Sequence, residues 1–371
     1  MKVLHVVSSL KTGGVEKLLY DLYEHVDRND IEFSFITHND SGMIEECLAK
    51  RNVKIYHLIN RRKHPILSAL EFFKFLSKNH FDIIHFHGNI EVLLEVIAAK
   101  LAGNNNLIIH SHNYKKNLSF LHKIIMYPVQ RIAVNIAAMC IGCSKSAGYY
   151  GFGNILHLNN YVTIYNGIEL SKYKFNKDKR NLLRKSLKIE NNDFVIGTIG
   201  RFTKQKNQIF LLKIIAAMKN HQNLKVLIVG EGEDYGLLKK FVDDNCLNNI
   251  VYFLGIRNDI PDVLSCFDLF ILTSKYEGLP IVGIEAQASG LDCLFSEEIT
   301  SEIKITENVR FLPIKDYDIE KWVKNIEVLV VNKKFKNRLQ SISENLQKNF
   351  DIERTSAKFV EVYQKLITQG N

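Results

Sequence analysis

The chain has 371 residues, of which 46% are hydrophobic and 24% are charged. This composition is that of a globular protein and excludes an intrinsically disordered chain, while five prolines and twenty glycines exclude a collagen-like repeat. The longest nearly apolar run, residues 132–141, contains Asn135 and is far shorter than the ~20 residues that a membrane span needs. The N-terminus predicts a first strand and lacks the long apolar core of a signal peptide.

The net charge of +9 is spread over the chain, with an excess of four basic residues in 1–170 and of five in 171–371. A diffuse excess suits anionic small ligands or an anionic membrane surface, whereas nucleic acid favours a concentrated basic stripe, so we expect no nucleic-acid partner. Cys140 and Cys143 form a CxxC, but no second pair or histidine cluster completes a zinc site. The cysteines are therefore expected to be reduced, buried thiols.

Short apolar runs alternate with segments of helical period along residues 1–170. Continuous apolar runs predict strands buried on both faces, and strands that alternate with helices predict a parallel sheet. The predicted strands are Val3–Val7, Phe33–Thr37, Lys54–His57, Ile83–Phe86, Leu107–His110, Met139–Cys143 and Val162–Tyr165. The predicted helices are Glu16–His25, Met43–Lys50, Leu67–Lys78 and Glu91–Ala102.

The pattern breaks at residues 171–180, a polar and charged segment without an apolar face, which we interpret as a linker. The alternation then resumes, and the segment from Ile319 onward is predicted to be helical throughout. The predicted strands here are Phe194–Ile199, Val226–Val229, Val251–Leu254, Leu269–Thr273, Cys293–Phe295 and Val309–Leu312, and the helices are Gln208–Lys219, Asp234–Asp244, Ile260–Cys266 and Ile281–Ser289. The sequence thus predicts an α/β protein of two Rossmann-like domains in tandem.

Ligands of such sheets bind outside the carboxyl ends of the strands, so the loops there are the first candidates for a site. The first loop, residues 8–16, carries Gly13 and Gly14, whose backbone N–H groups can approach a ligand at the start of a helix. A plain glycine turn without a ligand explains the same residues. The loop is not the GxGxxG fingerprint of dinucleotide-binding proteins.

Two HxH pairs also lie at strand ends, His85 with His87 and His110 with His112. Residues two apart on a strand share a face, so each pair places two imidazoles side by side. Neither pair has the further ligands of a zinc enzyme, and we expect no metal here. We expect one histidine to face the ligand as a hydrogen-bond donor, and satisfied core histidines are the alternative.

A basic loop follows the predicted strand Phe194–Ile199, with Gly200 and Arg201 directly after the strand and Lys206 shortly before the next helix. Arginine offers a bidentate fork and lysine a compact charge, a pairing that suits a diphosphate. A solvated basic loop is the alternative.

An acidic pair follows the predicted strand Leu269–Thr273. Glu277 precedes the turn Gly278–Pro280, and Glu285 lies eight positions later in the predicted helix. Pro280 suits the first helical turn, where its missing N–H costs nothing. Carboxylates accept hydrogen bonds from hydroxyl groups, so one could hold a sugar and the other a ribose. Taken alone, a capping glutamate and a surface glutamate would explain the pair.

Together these motifs resemble the retaining GT-B glycosyltransferases of family 4, in that family's order and approximate spacing and over nearly the whole chain. The matching motifs are Gly13–Glu16, the second HxH, Asn166–Ile168, Gly200-Arg201 with Lys206, Gly230–Gly232, and Glu277 with Glu285. The resemblance implies two Rossmann-like domains facing across a cleft. Residues 1–170 would bind the acceptor, residues 171–350 the nucleotide sugar, and the helix of 351–371 would return toward the N-terminal domain.

The resemblance also implies which residues bind the nucleotide part of the donor. Arg201 and Lys206, next to Gly200, would neutralise the diphosphate. Glu285 would hold the ribose hydroxyls. Leu254–Arg257, with Gly255 and Ile256 as its donor-site residues, would flank the base.

The transferred sugar would be held by a second group of residues. Glu277 would bind it together with the backbone amides of Gly278 and Leu279. His112 would contact the sugar near the anomeric centre, and Gly14 would pass close to the diphosphate. The catalytic residues implied by the resemblance are His112, Glu277, Arg201 and Lys206.

The implied reaction transfers a hexose or N-acetylhexosamine from a nucleotide sugar, expected to be UDP-linked, with retention of configuration. The acceptor hydroxyl would attack on the face that the diphosphate leaves, and a β-phosphate oxygen would take its proton. We expect no metal and no other cofactor. Asp316 and Asp318 match the DxD of metal-dependent GT-A enzymes, but they directly precede a predicted helix and are interpreted as its initiation.

The expected acceptor is a polyprenyl-diphosphate-linked or other glycan in surface polysaccharide synthesis, such as that of a capsule or exopolysaccharide, in the cytoplasm. A basic patch with aromatic residues could touch the inner face of the plasma membrane, although solvated helix faces explain the same charges. The patch comprises Arg61–Lys63, Lys115, Lys116 and Lys123 with Phe72, Phe73, Tyr114 and Phe120. The rival functions are a nucleotide-sugar 2-epimerase of the same fold and a non-catalytic sugar-nucleotide binder.

Overall fold

The computed structural model describes the chain except residues 12, 40, 115–119, 219–221, 332–337, 339–342 and 370–371, and except the side chains of residues 90, 120–123, 125, 156 and 369. The described residues form two compact units. We call residues 1–168 with 349–371 the first unit and residues 169–348 the second unit. The boundaries expected from the sequence lay at 170/171 and 350/351, two residues further along the chain in each case.

A parallel sheet of seven strands forms the centre of the first unit, in the order β3-β2-β1-β4-β5-β6-β7. The strand order reverses between β1 and β4, so the loops that follow these two strands diverge and leave a crevice at their carboxyl ends. Every strand predicted for this half is present, with ends that differ by at most two residues. The strands are β1 (Lys2–Val6), β2 (Glu32–Thr37), β3 (Lys54–His57), β4 (Ile83–His87), β5 (Leu107–Ser111), β6 (Met139–Gly142) and β7 (Tyr161–Thr163).

Helices cover both faces of this sheet, which explains why its strands are apolar without alternation. Along β1, Val3 contributes to the core on one face and Leu4 to the core on the other face, since successive side chains point to opposite sides. The helices are α1 (Gly14–His25), α2 (Met43–Ala49), α3 (Pro65–Leu76), α4 (Leu93–Leu101), α5 (Phe120–Ile136) and α6 (Lys145–Phe152), and the last helix of the chain, α14 (Ile352–Gln369), joins them. Phe359 and Tyr363 of α14 are buried in the same core as Val3.

The second unit has a parallel sheet of six strands in the order β10-β9-β8-β11-β12-β13, which reverses between β8 and β11. Its strands are β8 (Phe194–Ile199), β9 (Leu224–Val229), β10 (Val251–Phe253), β11 (Leu269–Leu272), β12 (Asp292–Ser296) and β13 (Val309–Leu312). Its helices are α7 (Lys177–Ser186), α8 (Gln208–Ala217), α9 (Tyr235–Asp244), α10 (Ile260–Cys266), α11 (Ile281–Ala288) and α12 (Ile319–Val331), followed by α13 (Glu344–Phe350). The two sheets confirm the predicted tandem of Rossmann-like α/β domains.

The prediction of a linker at residues 171–180 is wrong. A short 3-10 turn covers Leu170–Tyr173, and α7 begins after Asn176, whose side chain accepts a hydrogen bond from the Lys179 N–H at 3.0 Å. Two charged residues of α7, Arg180 and Arg184, are buried, and they donate to the backbone carbonyls that end α10 and to the carboxylate of Asp268.

The prediction that the segment from Ile319 onward is helical throughout is wrong. Asp351, between α13 and α14, forms an isolated parallel bridge with Ile168 instead.

No helix in the described part of the chain combines the length and the apolar character that crossing a bilayer requires.

Candidate functional site

The loops that follow β8 and β11 are joined by hydrogen bonds, because these strands are neighbours at the reversal of the second sheet. The side-chain amide of Asn207 donates to the Thr273 carbonyl at 3.1 Å, and the Thr273 hydroxyl donates to the Asn207 carbonyl at 2.9 Å. Further along both loops, the Lys275 N–H donates to the Gln205 carbonyl at 2.8 Å. The basic and acidic motifs of the second half therefore lie on one connected surface.

Lys206 and Glu277 meet on this surface, with 2.5 Å between the lysine Nζ and Oε1 of the carboxylate. The Ser274 hydroxyl donates to the same oxygen at 2.9 Å. Glu277 is buried, and Lys206 is partly exposed. Lys206 and Ser274 thus hold the Glu277 carboxylate in a fixed position beside a cation, which suits the recognition of a charged group next to a polyhydroxylated one.

Glu285 lies in α11, one helical turn after the first residue of that helix, Ile281, and eight positions after Glu277. Its carboxylate is buried and accepts a hydrogen bond of 2.6 Å from the hydroxyl of Tyr173. Pro280 caps the helix, which begins at Ile281 rather than at the proline. Tyr173 comes from the segment that the sequence suggested was a linker, so sequence reasoning missed this partner.

Glycines allow the loops after β8, β9 and β10 to pack against one another. A Cβ atom on Gly230, whose φ is +128°, would lie 2.2 Å from the Gly200 carbonyl oxygen, and one on Gly232 would lie 2.3 Å from that of Phe202. The Gly230 N–H donates to the Gly255 carbonyl at 2.9 Å. The glycines at 230 and 232 therefore serve close backbone packing.

The donor-site residues predicted in the second half all lie after β8, β10 and β11 or in α11. Arg201 and Ile256 are exposed, whereas Gly278 and Leu279 are buried. The structure brings Lys206 and Glu277 into contact, and the roles of these residues toward a ligand stay predictions. The predicted donor-site residues of the second half are Gly200, Arg201, Lys206, Gly255, Ile256, Glu277, Gly278, Leu279 and Glu285.

In the first unit, the double-glycine loop is exposed and leads directly into α1, which begins at Gly14. The Glu16 carboxylate accepts a hydrogen bond of 2.8 Å from the Ser9 hydroxyl, across the loop. A Cβ atom on Gly13 would lie 2.4 Å from the same carboxylate, so the glycine makes room for this contact. The Ser9–Glu16 bond gives the GGxE spacing a structural reason besides any ligand.

Five histidines of the first unit form one cluster, because the HxH pairs lie on neighbouring strands and share a face with His5 of β1. His5 pairs with His85 in the β1–β4 register, and His87 pairs with His110 in the β4–β5 register. His112 follows β5 directly, and its ring centroid lies 3.9 Å from that of His110. His5 carried no sequence signal, since it has no histidine two residues away.

Burial lowers the pKa of His5 and of His112 to about 3, and it lowers the pKa values of His85, His87 and His110 well below the ordinary range. The five rings are therefore neutral at pH 7.

Two histidine triplets could be considered as metal ligands, since each brings one nitrogen per ring within 4.8 Å of the others. They are His5 with His85 and His87, and His87 with His110 and His112. The closest nitrogen contacts, 2.9 and 3.0 Å, are hydrogen bonds between neutral rings, and neither triplet includes a carboxylate. The absence of a metal requirement stays a prediction.

The Asp316 and Asp318 pair occupies a helix start, as interpreted from the sequence. Residues 316–318 form a 3-10 turn before α12, and the Asp318 carboxylate accepts a hydrogen bond from the Lys315 N–H at 3.2 Å. Lys213 and Lys321 form ion pairs with Asp316 and Asp318 at 2.9 and 2.8 Å.

The predicted basic membrane patch is wrong in two of its members. Arg61 is buried and donates to the Glu95 carboxylate at 2.6 Å, and Phe72 is buried in the core. Burial raises the pKa of Glu95, but its bonds to His38 and Arg61 outweigh this and lower the pKa overall.

The remaining members of the patch differ in what the structure describes. Arg62, Lys63 and Phe73 are exposed, and Tyr114 is partly buried. Lys115, Lys116 and the side chains of Phe120 and Lys123 lie outside the described residues.

Comparison with known proteins gives two family matches, one for each half of the chain. Residues 12–172 match the model of Glycosyltransferase Family 4, and residues 179–348 match the model of Glycosyl transferases group 1. The chain is 28% identical to the capsular polysaccharide biosynthesis glycosyltransferase CapH of Staphylococcus aureus, over 98% of each protein. It is 26% identical to the UDP-Gal:alpha-D-GlcNAc-diphosphoundecaprenol alpha-1,3-galactosyltransferase of Escherichia coli, over 98% of this chain and 96% of that protein.

A solved structure with the same fold is that of Anabaena HepE in complex with UDP-glucose. The TM-score is 0.81 at 22% identity, and the match covers 98% of this chain and 100% of HepE.

Proposed function

Because the chain belongs to the GT-B glycosyltransferases of family 4, we propose that it transfers a hexose or N-acetylhexosamine from a nucleotide sugar, with retention of configuration. The observation that carries this proposal is the contact of Lys206 with Glu277 at the strand reversal of the second unit, with Glu285 in the next helix. A cation that contacts one buried carboxylate, with a second buried carboxylate in the following helix, matches a ligand with one anionic part and two sets of hydroxyl groups. The UDP-glucose bound to HepE supports a UDP-linked donor.

In the proposed mechanism, Lys206 and Arg201 stabilise the negative charge that builds on the leaving diphosphate. Glu277 holds the hydroxyl groups of the transferred sugar, with the amides of Gly278 and Leu279, and Glu285 holds the ribose. The acceptor hydroxyl attacks the anomeric carbon on the face that the diphosphate leaves, and a β-phosphate oxygen takes its proton. This path uses no nucleophile from the protein and no metal.

The first unit is proposed to bind the acceptor, with Gly14 near the diphosphate and His112 near the anomeric centre. The Escherichia coli relative is named for an acceptor linked to diphosphoundecaprenol, and CapH for capsular polysaccharide. These names support a polyprenyl-diphosphate-linked glycan acceptor and a role in surface polysaccharide synthesis. A cytoplasmic enzyme that works on such an acceptor must approach the inner face of the membrane.

Helix α3 supplies a surface for that approach. Ile66, Leu67, Leu70 and Phe73 expose 68, 53, 54 and 39% of their surface, at a spacing that places them on one side of the helix. Exposed basic residues flank this side: Arg62, Lys63, Lys74 and Lys78. Apolar side chains bordered by cations are typical of a helix that lies in the interface of an anionic membrane. We propose that α3 replaces the patch expected from the sequence.

A donor screen followed by a transfer assay tests the enzymatic proposal. Nucleotide sugars of the UDP and GDP series are first ranked by thermal shift, since a bound donor stabilises the protein. The best donor, radiolabelled, is then incubated with polyprenyl-diphosphate-linked acceptors in chelator and without added metal. Label in the lipid fraction supports a metal-independent transferase. Isomerised sugar released without acceptor indicates a 2-epimerase, and binding without turnover indicates a non-catalytic binder.

Vesicle flotation tests the surface of α3 separately. The unaltered chain is expected to float with vesicles that contain phosphatidylglycerol, and a variant with Ile66→Ser and Leu70→Ser is expected to stay in the dense fraction. Leu237→Ser in the second unit is the control, because Leu237 is 56% exposed on a different helix. Equal flotation of all three proteins, or none, would exclude α3 as the contact.

A further inference from the structure

Three histidines of the first unit are hydrogen-bonded in series, and we call them the histidine chain: His112, His87 and His5. Nε2 of His112 lies 2.9 Å from Nδ1 of His87, and Nε2 of His87 lies 3.0 Å from Nδ1 of His5. The other nitrogens at the two ends, Nδ1 of His112 and Nε2 of His5, are buried without a partner among the described residues. The histidine chain therefore connects His112, the histidine predicted to contact the sugar, to the interior of the sheet.

Neutral imidazoles allow only two proton arrangements in which both contacts of this chain are hydrogen bonds. A neutral ring carries one N–H and one lone pair, so a ring that accepts at one nitrogen must carry its proton on the other. In the first arrangement every ring carries its proton on Nε2, and an N–H is left without a partner at His5. In the second, every ring carries its proton on Nδ1, and the unpaired N–H is at His112.

The surroundings of the two ends favour the second arrangement. His5 is fully buried, with its ring centroid 4.6 Å from that of Phe33 and 5.3 Å from that of Phe35, so an N–H at its Nε2 would lie among aromatic rings without an acceptor in the described residues. Buried N–H groups without a partner are rarer than unsatisfied acceptors. His112 lies at the carboxyl end of β5, where ligands of such sheets bind, and is partly exposed as a residue although its Nδ1 is buried, so an N–H at Nδ1 is left for a ligand to satisfy.

We propose that His87 and His5 are positioning residues that hold His112 as its neutral Nδ1–H tautomer, so that it presents a fixed N–H donor to an oxygen of the transferred sugar. The role given to His112 in transfer rests on the proposed function, whereas its tautomer follows from the hydrogen bonds of the histidine chain alone. The low pKa values given above agree with it, since all three rings stay neutral at pH 7.

The two remaining histidines of the cluster stand outside this chain and provide the control. Nδ1 of His85 bonds to the Tyr363 hydroxyl at 2.9 Å. Neither nitrogen of His110 has a partner among the described residues, although its ring packs against that of His112. His110→Phe therefore keeps a ring against His112 and removes no bond of the chain, whereas His87→Phe removes both.

The test is nitrogen NMR on the full-length, chelator-treated protein labelled with ¹⁵N in histidine, because the ring ¹⁵N shifts and two-bond couplings identify the tautomer. We expect the Nδ1–H form at His112 in the unaltered protein and in His110→Phe, and loss of that fixed form in His87→Phe. His5→Asn should retain it, since the side-chain amide can donate to His87 in place of Nδ1–H, whereas His5→Phe should not. An Nε2–H form in the unaltered protein, or equal changes in His87→Phe and His110→Phe, would overturn the proposal.

Kinetics with the donor and acceptor found by the screen then test the consequence for transfer. His87→Phe is expected to lower kcat about tenfold, the loss typical of one hydrogen bond, with the KM for the donor within about twofold. His110→Phe should change neither by more than about twofold. A lost tautomer with unchanged kcat would show that the donor of His112 takes no part in transfer. Failure of the transferase assay itself leaves the NMR result standing, so the two failures are distinguishable.

Discussion

Replacement of Glu277 by alanine separates the proposed sugar contact from the proposed diphosphate contact. In the structure the carboxylate accepts the Ser274 hydroxyl at 2.9 Å and faces the Lys206 ammonium at 2.5 Å. The variant loses the acceptor for the sugar but keeps both cations, Lys206 and Arg201, for the diphosphate. We therefore expect transfer to fail while nucleoside diphosphate binding survives.

The size of the two effects follows from the contacts. A carboxylate can accept two hydroxyl groups, and hydrogen bonds to a charged group contribute about 1.5–3 kcal/mol each, so kcat/KM should fall by about 10²- to 10⁴-fold. The pair that Lys206 loses is partly exposed, with 21 and 11% of the side-chain surface of lysine and glutamate accessible. Such a pair contributes up to about 1 kcal/mol, so the released lysine should leave diphosphate affinity unchanged or about fivefold tighter.

The assays are radiolabelled sugar transfer and calorimetric titration with the nucleoside diphosphate. Glu307→Ala serves as the control, because Glu307 is a 99% exposed carboxylate of the same unit. Glu277→Gln keeps the side-chain volume and should also lose transfer, since the amide carries no charge. If diphosphate binding and transfer fall by the same factor in a folded Glu277→Ala protein, the assignment of Glu277 to the sugar is refuted.

Three further results are expected. Asp268→Ala leaves the buried guanidinium groups of Arg180 and Arg184 without their carboxylate and should lower the free energy of unfolding in urea by about 3–5 kcal/mol. The exposed control Asp243→Ala should lower it by less than about 1 kcal/mol. Equal losses in the two variants would contradict the argument. Tyr173→Phe removes the hydroxyl bonded to Glu285 and should weaken nucleoside diphosphate binding about tenfold but leave inorganic pyrophosphate binding unchanged in calorimetry; a parallel loss would exclude a ribose contact. Burial lowers the pKa of His5 from 6.5 to about 3, so at pH values between these two the unfolded chain binds one proton more than the folded protein. The free energy of unfolding in urea should therefore fall by about 1.4 kcal/mol for this ring as the pH is lowered from 7.5 to 5.5. A His5→Phe variant with the same pH dependence would contradict this.

The strands were predictable because both sheets are covered on both faces, so that each strand is a short run of apolar residues between polar loops. The candidate donor site was predictable for a related reason. Its motifs follow strands directly, and the carboxyl ends of neighbouring strands share one edge of the sheet. The sequence therefore indicated that the basic and acidic motifs belong together before the contact of Lys206 with Glu277 was known.

The buried charges were not predictable by the same reasoning. Arg61 and Arg184 look like solvated residues in the sequence, because their partners are distant along the chain: a glutamate 34 positions away for Arg61 and an aspartate 84 positions away for Arg184. Hydrophobic periodicity indicates the apolar faces of helices and strands. It carries no information on a buried guanidinium whose five N–H groups donate to carbonyl oxygens. Segments that look like linkers or basic patches can for this reason contain core residues.

Contacts between elements distant in sequence also decide what the two carboxylates of the site can do. Glu277 has an ammonium as its partner and Glu285 a neutral hydroxyl, a difference that the spacing of eight residues does not contain. If Lys206 binds the diphosphate as proposed, it is shared between that diphosphate and Glu277, so the proposed sugar contact and the proposed phosphate contact draw on the same cation. A diphosphate that attracts Lys206 in this way would leave Glu277 with more of its charge for the hydroxyl groups of the sugar. In this arrangement the proposed leaving group and the proposed sugar contact are electrostatically coupled.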